Sequence, residues 1–165
     1  MTTRTIHEYA RRNMTQELRA ALESGVDPNE KDNFGTTALQ NAIAEKKDEA
    51  VAMLLEHGAD VTIQDNDGRT ALHYAIEHGL PNVAALLLAK NPKIVAIGDK
   101  HGNEPLWVAT FNARGNYEMV SLLMRYGANP AHRNRVSRSA ADFARQINDD
   151  VLIGMLNPAG PHAKD

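Results

Sequence analysis

The feature that most constrains this chain of 165 residues is an internal repeat with a period near 33. Residues 32–39 read DNFGTTAL, residues 65–72 read DNDGRTAL and residues 99–106 read DKHGNEPL. The glycines of these segments are 33 and 34 positions apart. A repeat of this length is typical of proteins that stack one small unit many times, because a single unit cannot bury its own apolar face.

Each repeat predicts a tight turn followed by two short helices. The Asp-x-x-Gly segments suit a turn, because glycine accepts a positive φ without steric cost. Thr37, Thr70 and Ser139 stand where an N-cap oxygen would accept free backbone N–H groups, and Pro105 occupies a first helical position. In the repeat that begins at Asp65, Gly79 separates the two helices. Helices this short are unstable alone, so neighbouring units must bury their apolar faces.

The repeats resemble those of the ankyrin family, whose unit reads D-x-x-G-x-T-P-L-H-x-A-A-x-x-G and continues with V-x-x-L-L-x-x-G-A-D. Residues 65–75 (DNDGRTALHYA) match the first part almost throughout, and residues 54–60 (LLEHGAD) match the second. The resemblance covers about residues 6–156 and implies an all-α ankyrin-repeat solenoid of about five helix–turn–helix units, joined by β-turn or hairpin loops. We expect one domain over residues 1–156, with units at 5–33, 34–66, 67–100, 101–135 and 136–156, and a flexible tail at 157–165.

Two units depart from this pattern. In the fourth, Glu104 and Trp107 stand in the places of the family's Thr and His, and the interval between the two helices is three residues longer than in the third unit. In the fifth, Ser137 takes the place of the turn glycine. Stacking requires regularity, so each departure is either neutral drift at an exposed position or a feature shaped for a partner.

The resemblance also implies a binding surface. In the ankyrin family, the turn tips and the first helices line a concave face that binds other proteins, and the second helices form the back. Transferring this geometry position by position predicts partner contacts at Phe34, Thr36, Asp67, Arg69, Glu77, His78, Lys100, His101, Asn103, Trp107, Phe111, Arg135 and Arg138.

Three aromatic residues of this set have two interpretations. Trp107 and Phe111 are four positions apart on one helix and therefore share a face. They either anchor a partner, or Trp107 fills the space between units where histidine usually forms a hydrogen bond. Phe34 lies at a turn tip, where we favour a partner contact over an isolated exposed apolar residue.

Charge is unevenly distributed along the chain. The 18 basic and 21 acidic residues give a net charge of −3, which argues against a surface that follows nucleic-acid phosphates. Residues 1–91 carry 9 basic and 14 acidic side chains, for −5, whereas residues 92–150 carry 8 and 6, for +2. Much of the basic excess lies at 132–138 (HRNRVSR), which is either a solvated loop or a segment that steers an acidic partner.

Motifs of catalysis and metal binding are missing from the sequence. The chain has no cysteine, and His7-Glu8 is followed by Arg11 where a zinc motif would require histidine. Phosphate-binding glycine motifs and the G-x-S-x-G nucleophile elbow are absent too. We therefore expect no catalytic residue, no metal and no cofactor.

The segments that would direct the chain to a membrane are also missing. The longest apolar run, residues 83–89, is too short to span a bilayer, and the N-terminal segment lacks the apolar stretch of a secretory signal. We expect a cytoplasmic protein that binds no membrane and is a monomer when free.

These observations favour a non-catalytic module that acts by covering the surface of another protein. Small free-standing ankyrin proteins that resemble this chain occur in bacteria as immunity proteins, which neutralise a cognate toxin. Toxin neutralisation is therefore the specific hypothesis. The alternative is a regulatory or scaffolding protein that stabilises or assembles a partner enzyme.

Overall fold

The computed structural model describes residues 5–157, which fold into ten α-helices and one short 3-10 helix. The all-α prediction is confirmed: these residues contain no β-strand, and an isolated bridge pairs Lys31 with Thr37. From position 158 onward, the predicted tail lies outside the described residues. The helices are α1 (Ile6–Arg11), α2 (Thr15–Glu23), α3 (Ala38–Ala44), α4 (Asp48–Glu56), α5 (Ala71–Glu77), α6 (Pro81–Lys90), α7 (Pro105–Asn112), α8 (Glu118–Arg125), α9 (Ala140–Gln146) and α10 (Asp150–Met155), with the 3-10 helix at Pro92–Ala96.

The helices form two layers. The first helices α1, α3, α5, α7 and α9 pack successively against one another, and the second helices α2 and α4, and α6 and α8, pack behind them. The first-helix layer is the more continuous of the two, because each of its helices contacts the next. Leu39, Leu72 and Leu106 occupy the same place in successive first helices, and each is at most 1% exposed. This equivalence confirms the repeat that the sequence predicts.

The predicted helix starts are confirmed. Thr37 is the N-cap of α3: its hydroxyl accepts the backbone N–H of Gln40, and the Gln40 side chain accepts the N–H of Thr37 at 2.7 Å. Ser139 and Asp142 form the same reciprocal pair at α9. Pro105 begins α7, where its missing N–H costs no hydrogen bond. Local sequence thus sets where these helices begin.

The third residue of α3 and of α5 links its unit to the next: the Gln40 side chain donates to the carbonyl of Arg69 at 2.9 Å, and His73 forms the equivalent link. His73 accepts the N–H of Thr70 at Nδ1, and its Nε2 donates to the backbone carbonyl of Asn103 at 3.2 Å. Burial lowers the pKa of His73, so the ring is held in its neutral form. Trp107 occupies this position in the fourth unit, and there His132, just before the turn that leads into α9, lies with its Nε2 3.1 Å from the carbonyl oxygen of Gly102.

A left-handed residue separates the two helices of most units. Gly79 has φ 64°, as the sequence predicts, but Asn13, Lys46 and Asn148 adopt φ of 52°, 55° and 52° at the equivalent places. Ser137 has φ 58° at the glycine position of the last turn. The repeat therefore preserves the backbone conformation where it does not preserve glycine.

The longer interval of the fourth unit is divided between a helix and a loop. Helix α7 is one residue longer than α5, and the segment 113–117 that follows is two residues longer than the segment 78–80. These three residues account for the departure seen in the sequence.

The end of the third unit differs from the pattern that the sequence suggests. No glycine follows α6; instead, the Asn91 side chain accepts the N–H of Lys93 at 3.1 Å and opens the 3-10 helix. That helix buries Ile94 and Val95 against the core. Asn91 followed by Pro92 is the sequence signal for this helix start, because asparagine is a common N-cap and proline favours the first helical position.

None of the helices in residues 5–157 is long and apolar enough to cross a membrane.

Candidate protein-binding surface

Four turn tips share one hydrogen-bond pattern, and each is numbered after the unit whose first helix follows it: the second tip (32–36), the third (65–69), the fourth (99–103) and the fifth (134–138). At Asp32, Asp65, Asp99 and Asn134, the side-chain Oδ1 accepts the backbone N–H groups two and four residues later, at 2.8 to 3.1 Å. The backbone N–H of the same residue donates to the carbonyl four residues later. These bonds close each tip into a tight loop that projects from the first-helix layer.

Neighbouring tips are bonded to one another through the backbone. Each of the three tip-to-tip bonds runs from an N–H of one tip to a carbonyl of the preceding tip, at 2.8 to 3.3 Å. The donor and acceptor pairs are Asn66 and Phe34, Lys100 and Asp67, and Arg135 and His101. The tips therefore form a continuous row, and their side chains are displayed on a preformed edge.

The third tip carries a compact polar network. The nearly buried carboxylate of Asp65 accepts the hydroxyl of Tyr74 at 2.8 Å and Nε of Arg69 at 3.0 Å. The Arg69 guanidinium lies 4.8 Å above the Tyr74 ring and within 3.6 Å of carboxylate oxygens of Asp67 and Glu77. Burial and the hydrogen bond to Asp65 raise the pKa of Tyr74, so its hydroxyl remains a donor. Arg69 is thus neutralised from within the chain.

A groove of about 350 Å³ lies between the second and third tips, with Phe34 at its rim and Tyr74 in its wall. Phe34 is 72% exposed. Arg11 lines the other side and donates to Asp32 at 2.9 Å. Thr36 also lines the groove but is buried, and its hydroxyl donates to Asp32 at 2.6 Å. The groove combines an exposed ring with fixed polar groups, which suits a partner side chain.

The sequence-predicted contact residues lie on the tips, on the first helices α5 and α7 or, for His78, directly after α5, and they differ in exposure. Thr36 is the one that the structure assigns to turn support, because its hydroxyl is buried on Asp32. Lys100 remains exposed while pairing with Asp67 at 2.7 Å. The half-buried members are Asp67, Arg69, His78, Asn103 and Trp107, and the exposed ones are Phe34, Glu77, Lys100, His101, Phe111, Arg135 and Arg138.

An aromatic cluster joins the fourth and fifth units. Phe143 of α9 lies edge-on to Trp107, with ring centroids 5.6 Å apart, and its centroid is 5.4 Å from that of Phe111. Trp107 is half-buried in this contact, which favours the space-filling interpretation for that residue. Phe111 keeps 59% of its surface exposed and remains open to a partner. Phe143 is not among the residues predicted from the sequence. An aromatic residue at the repeat position of Tyr74 is the feature that could have indicated it.

Part of the basic segment 132–138 is neutralised internally. Arg133 lies 2.9 Å from a carboxylate oxygen of Asp142, and His132 lies 3.2 Å from Glu104. Burial raises the pKa of Glu104, and the nearby His132 opposes that rise. The two remaining arginines of the segment make no ion pair within residues 5–157.

No group of three His, Asp or Glu side chains in the described part of the chain is arranged to hold a metal ion.

Comparison with known families identifies repeats over the first four units. A family model described as ankyrin repeats (3 copies) matches residues 6–97, and one described as ankyrin repeat matches residues 101–135. A search of the curated proteins finds no match to this chain. The fifth unit falls outside both family matches.

Proposed function

This chain belongs to the ankyrin-repeat family, whose repeats are protein–protein interaction modules, and we propose that it acts by covering the surface of one partner, specifically as an immunity protein that neutralises a bacterial toxin. The observation that supports the proposal is the row of turn tips bonded to one another through the backbone. A surface held in place before binding loses little conformational entropy on association, which favours a tight inhibitor.

The composition of the surface is suited to a protein ligand. It combines exposed aromatic rings at Phe34 and Phe111 with charged side chains that ion pairs hold in place, such as Arg69 and Lys100. Aromatic residues and arginines supply most of the binding energy in protein interfaces. The described residues contribute nothing but repeat units and their connections, so covering the partner is the action we assign to the chain.

The proposal is tested by genetics with matched surface variants. Loss of the gene should stop growth, and deletion of a neighbouring toxin gene should restore it. Complementation should succeed with the parent chain and with Leu86→Ser, which removes an exposed leucine on α6. Phe34→Ser, which removes an exposed ring from the tip row, should complement poorly because it removes a contact worth about 2 kcal/mol.

The outcomes separate the proposed function from its alternative. Normal growth after gene loss in cells that still make an active neighbouring toxin would reject immunity. If such cells instead lose the activity of an enzyme that co-purifies with the chain, the regulatory or scaffolding role would be supported. Equal complementation by both serine variants would show that the tip row does not carry the binding.

A further inference from the structure

The third and fifth units carry an arginine at the same place, and the two arginines have different surroundings. Arg69 and Arg138 each precede the N-cap of a first helix, Thr70 and Ser139 respectively. Around Arg69, carboxylate oxygens of Asp65, Asp67 and Glu77 lie at 3.0, 3.6 and 3.5 Å. This arginine is compensated by two acidic residues of the third tip and one of α5.

Around Arg138, the positions equivalent to those three acidic residues are uncharged. Asn134, Val136 and Gln146 stand at the positions of those carboxylates, each 69 residues further along the chain. The Arg138 side chain extends to the same position as that of Arg69: its Nη1 donates to Oε1 of Gln146 at 3.2 Å, where Nη1 of Arg69 lies 3.5 Å from Glu77. The guanidinium has therefore been retained while the charges that neutralise it in the third unit have been replaced.

Within the described range 5–157, neighbouring groups do not supply the missing charge. The nearest acidic residue of α9, Asp142, is paired with Arg133 at 2.9 Å and with Arg145 at 3.1 Å. Arg135 of the same tip is also exposed and, like Arg138, makes no ion pair in the part of the chain that the structure describes. Among residues 5–157, the fifth tip thus presents two guanidinium groups that no carboxylate pairs with.

Exposed apolar surface lies on the fifth tip and on helix α7. Val136, between the two arginines in sequence, is 72% exposed, and Phe111 is 59% exposed in the aromatic cluster with Phe143. Phe143 and Gln146 are three positions apart on α9 and share a face, so the side chain to which Arg138 donates is a neighbour of that cluster on the helix. Positive charge next to aromatic surface matches a segment that offers an acidic and an apolar side chain together.

We propose that the fifth tip binds an acidic segment of the protein partner. A carboxylate of that segment pairs with Arg138, as Asp65, Asp67 and Glu77 pair with Arg69. An apolar side chain of the same segment packs on Phe111 and the exposed edge of the aromatic cluster. This inference rests on the proposed protein-binding function and names the chemistry of the partner.

Three variants with the same change in net charge test the proposal. V136D/Q146E introduces carboxylates at two of the three places that are acidic around Arg69, and so neutralises Arg138 from within. R138E reverses the charge of the arginine. The control R19Q/R125Q removes two exposed guanidinium groups from the second helices α2 and α8. All substituted positions are exposed, and circular dichroism would verify that the helices are retained.

The probe is a library of short random peptides displayed on phage and selected against the immobilised full chain. We expect the selected peptides to be rich in Asp and Glu beside Leu, Phe or Trp. Fluorescein-labelled copies should bind V136D/Q146E and R138E about tenfold or more weakly than the parent, while the control should bind within about twofold. Added salt should weaken binding to the parent. Emission of Trp107, the single tryptophan, should change on binding and locate the site.

Several results would overturn the inference. These are a selection that enriches no peptide, selected peptides without excess acidic residues, equal affinity for parent and V136D/Q146E, or an equal loss in the R19Q/R125Q control. Failure here is distinguishable from failure of the proposed function. If R138E complements the gene deletion as well as the parent while Phe34→Ser does not, the protein-binding function stands and the acidic partner segment is wrong.

Discussion

At the scale of single residues, Asp32 shows how one carboxylate holds a turn tip. Its Oδ1 accepts the N–H groups of Phe34 and Thr36, and its Oδ2 accepts the Thr36 hydroxyl at 2.6 Å and Arg11 at 2.9 Å. Burial acts to raise the pKa of Asp32, but hydrogen bonds from Thr36, Phe34 and Asn41 outweigh it and lower the pKa to about 2. An unfolded-chain aspartate titrates at about 3.9. The ionised form therefore stabilises the fold above that pH.

Asp32→Asn should lower the free energy of unfolding by about 1–2 kcal/mol at neutral pH, after allowance for solvent screening. The turn itself should persist, because Asn134 holds the equivalent turn with an amide. Since the folded pKa is the lower one, the stabilisation is lost as pH falls from about 4 towards 2, and the deficit of the variant should roughly halve at about pH 3. Urea unfolding of both proteins at the two pH values measures it. An equal deficit at both would contradict the assignment.

At the scale of elements, the turn tips require a left-handed residue, and two of them meet this requirement differently. Gly68 has φ 76°, and a Cβ added there would lie 2.7 Å from the backbone nitrogen of Lys100 in the next tip. Ser137 has φ 58° at the equivalent place of the last tip and is exposed. The conformation costs a residue with a side chain about 1–2 kcal/mol, and glycine avoids that cost.

Ser137→Gly should therefore raise the free energy of unfolding by about 0.5–1 kcal/mol, because the relief of backbone strain exceeds the added freedom of the unfolded chain. Gly68→Ala is the matched opposite, and it should cost about 2 kcal/mol or more, since it adds both strain and a clash with the next tip. Chemical denaturation of the two variants measures these changes. A neutral or destabilising Ser137→Gly would show that the fifth turn is not strained.

At the scale of the whole molecule, burial is uneven along the stack. The second unit buries large side chains on both of its helices, including Leu39 and Ile43 on α3 and Leu54 on α4. In the fifth unit, α9 buries only alanines, and the large side chains that are fully buried are Leu152 on α10 and Leu156 at its end. In a linear stack, each unit is stabilised by its own core and by its immediate neighbours. The fifth unit should open before the rest.

Native-state hydrogen exchange should reveal this gradient. Amides of α9 and α10 should exchange at least about tenfold faster than those of α3 and α4, because opening the last unit exposes less apolar surface. Peptide-level mass spectrometry measures both regions in one sample, so each serves as a reference for the other. Equal protection at the two regions would indicate a fully cooperative stack and would contradict the prediction.

The candidate surface was predictable in position and not in chemistry. The repeat phase places Phe34, Arg69 and Arg138 correctly, because each lies at a fixed distance from a helix start. It does not show that Thr36 is buried on Asp32, since that depends on how the side chain folds back into the turn. Nor does it reveal the contact of Phe143 with Trp107, which forms only when the fourth and fifth units stack.

The number, order and phase of the repeat units follow from the amino-acid sequence, because turns, N-caps and apolar spacing act over a few neighbouring residues. Three-dimensional packing decides which charges are satisfied. Arg69 and Arg138 occupy the same repeat position, yet one lies among three carboxylates and the other donates to an amide. Coulomb energy depends on distances between side chains, and only the folded chain sets those distances.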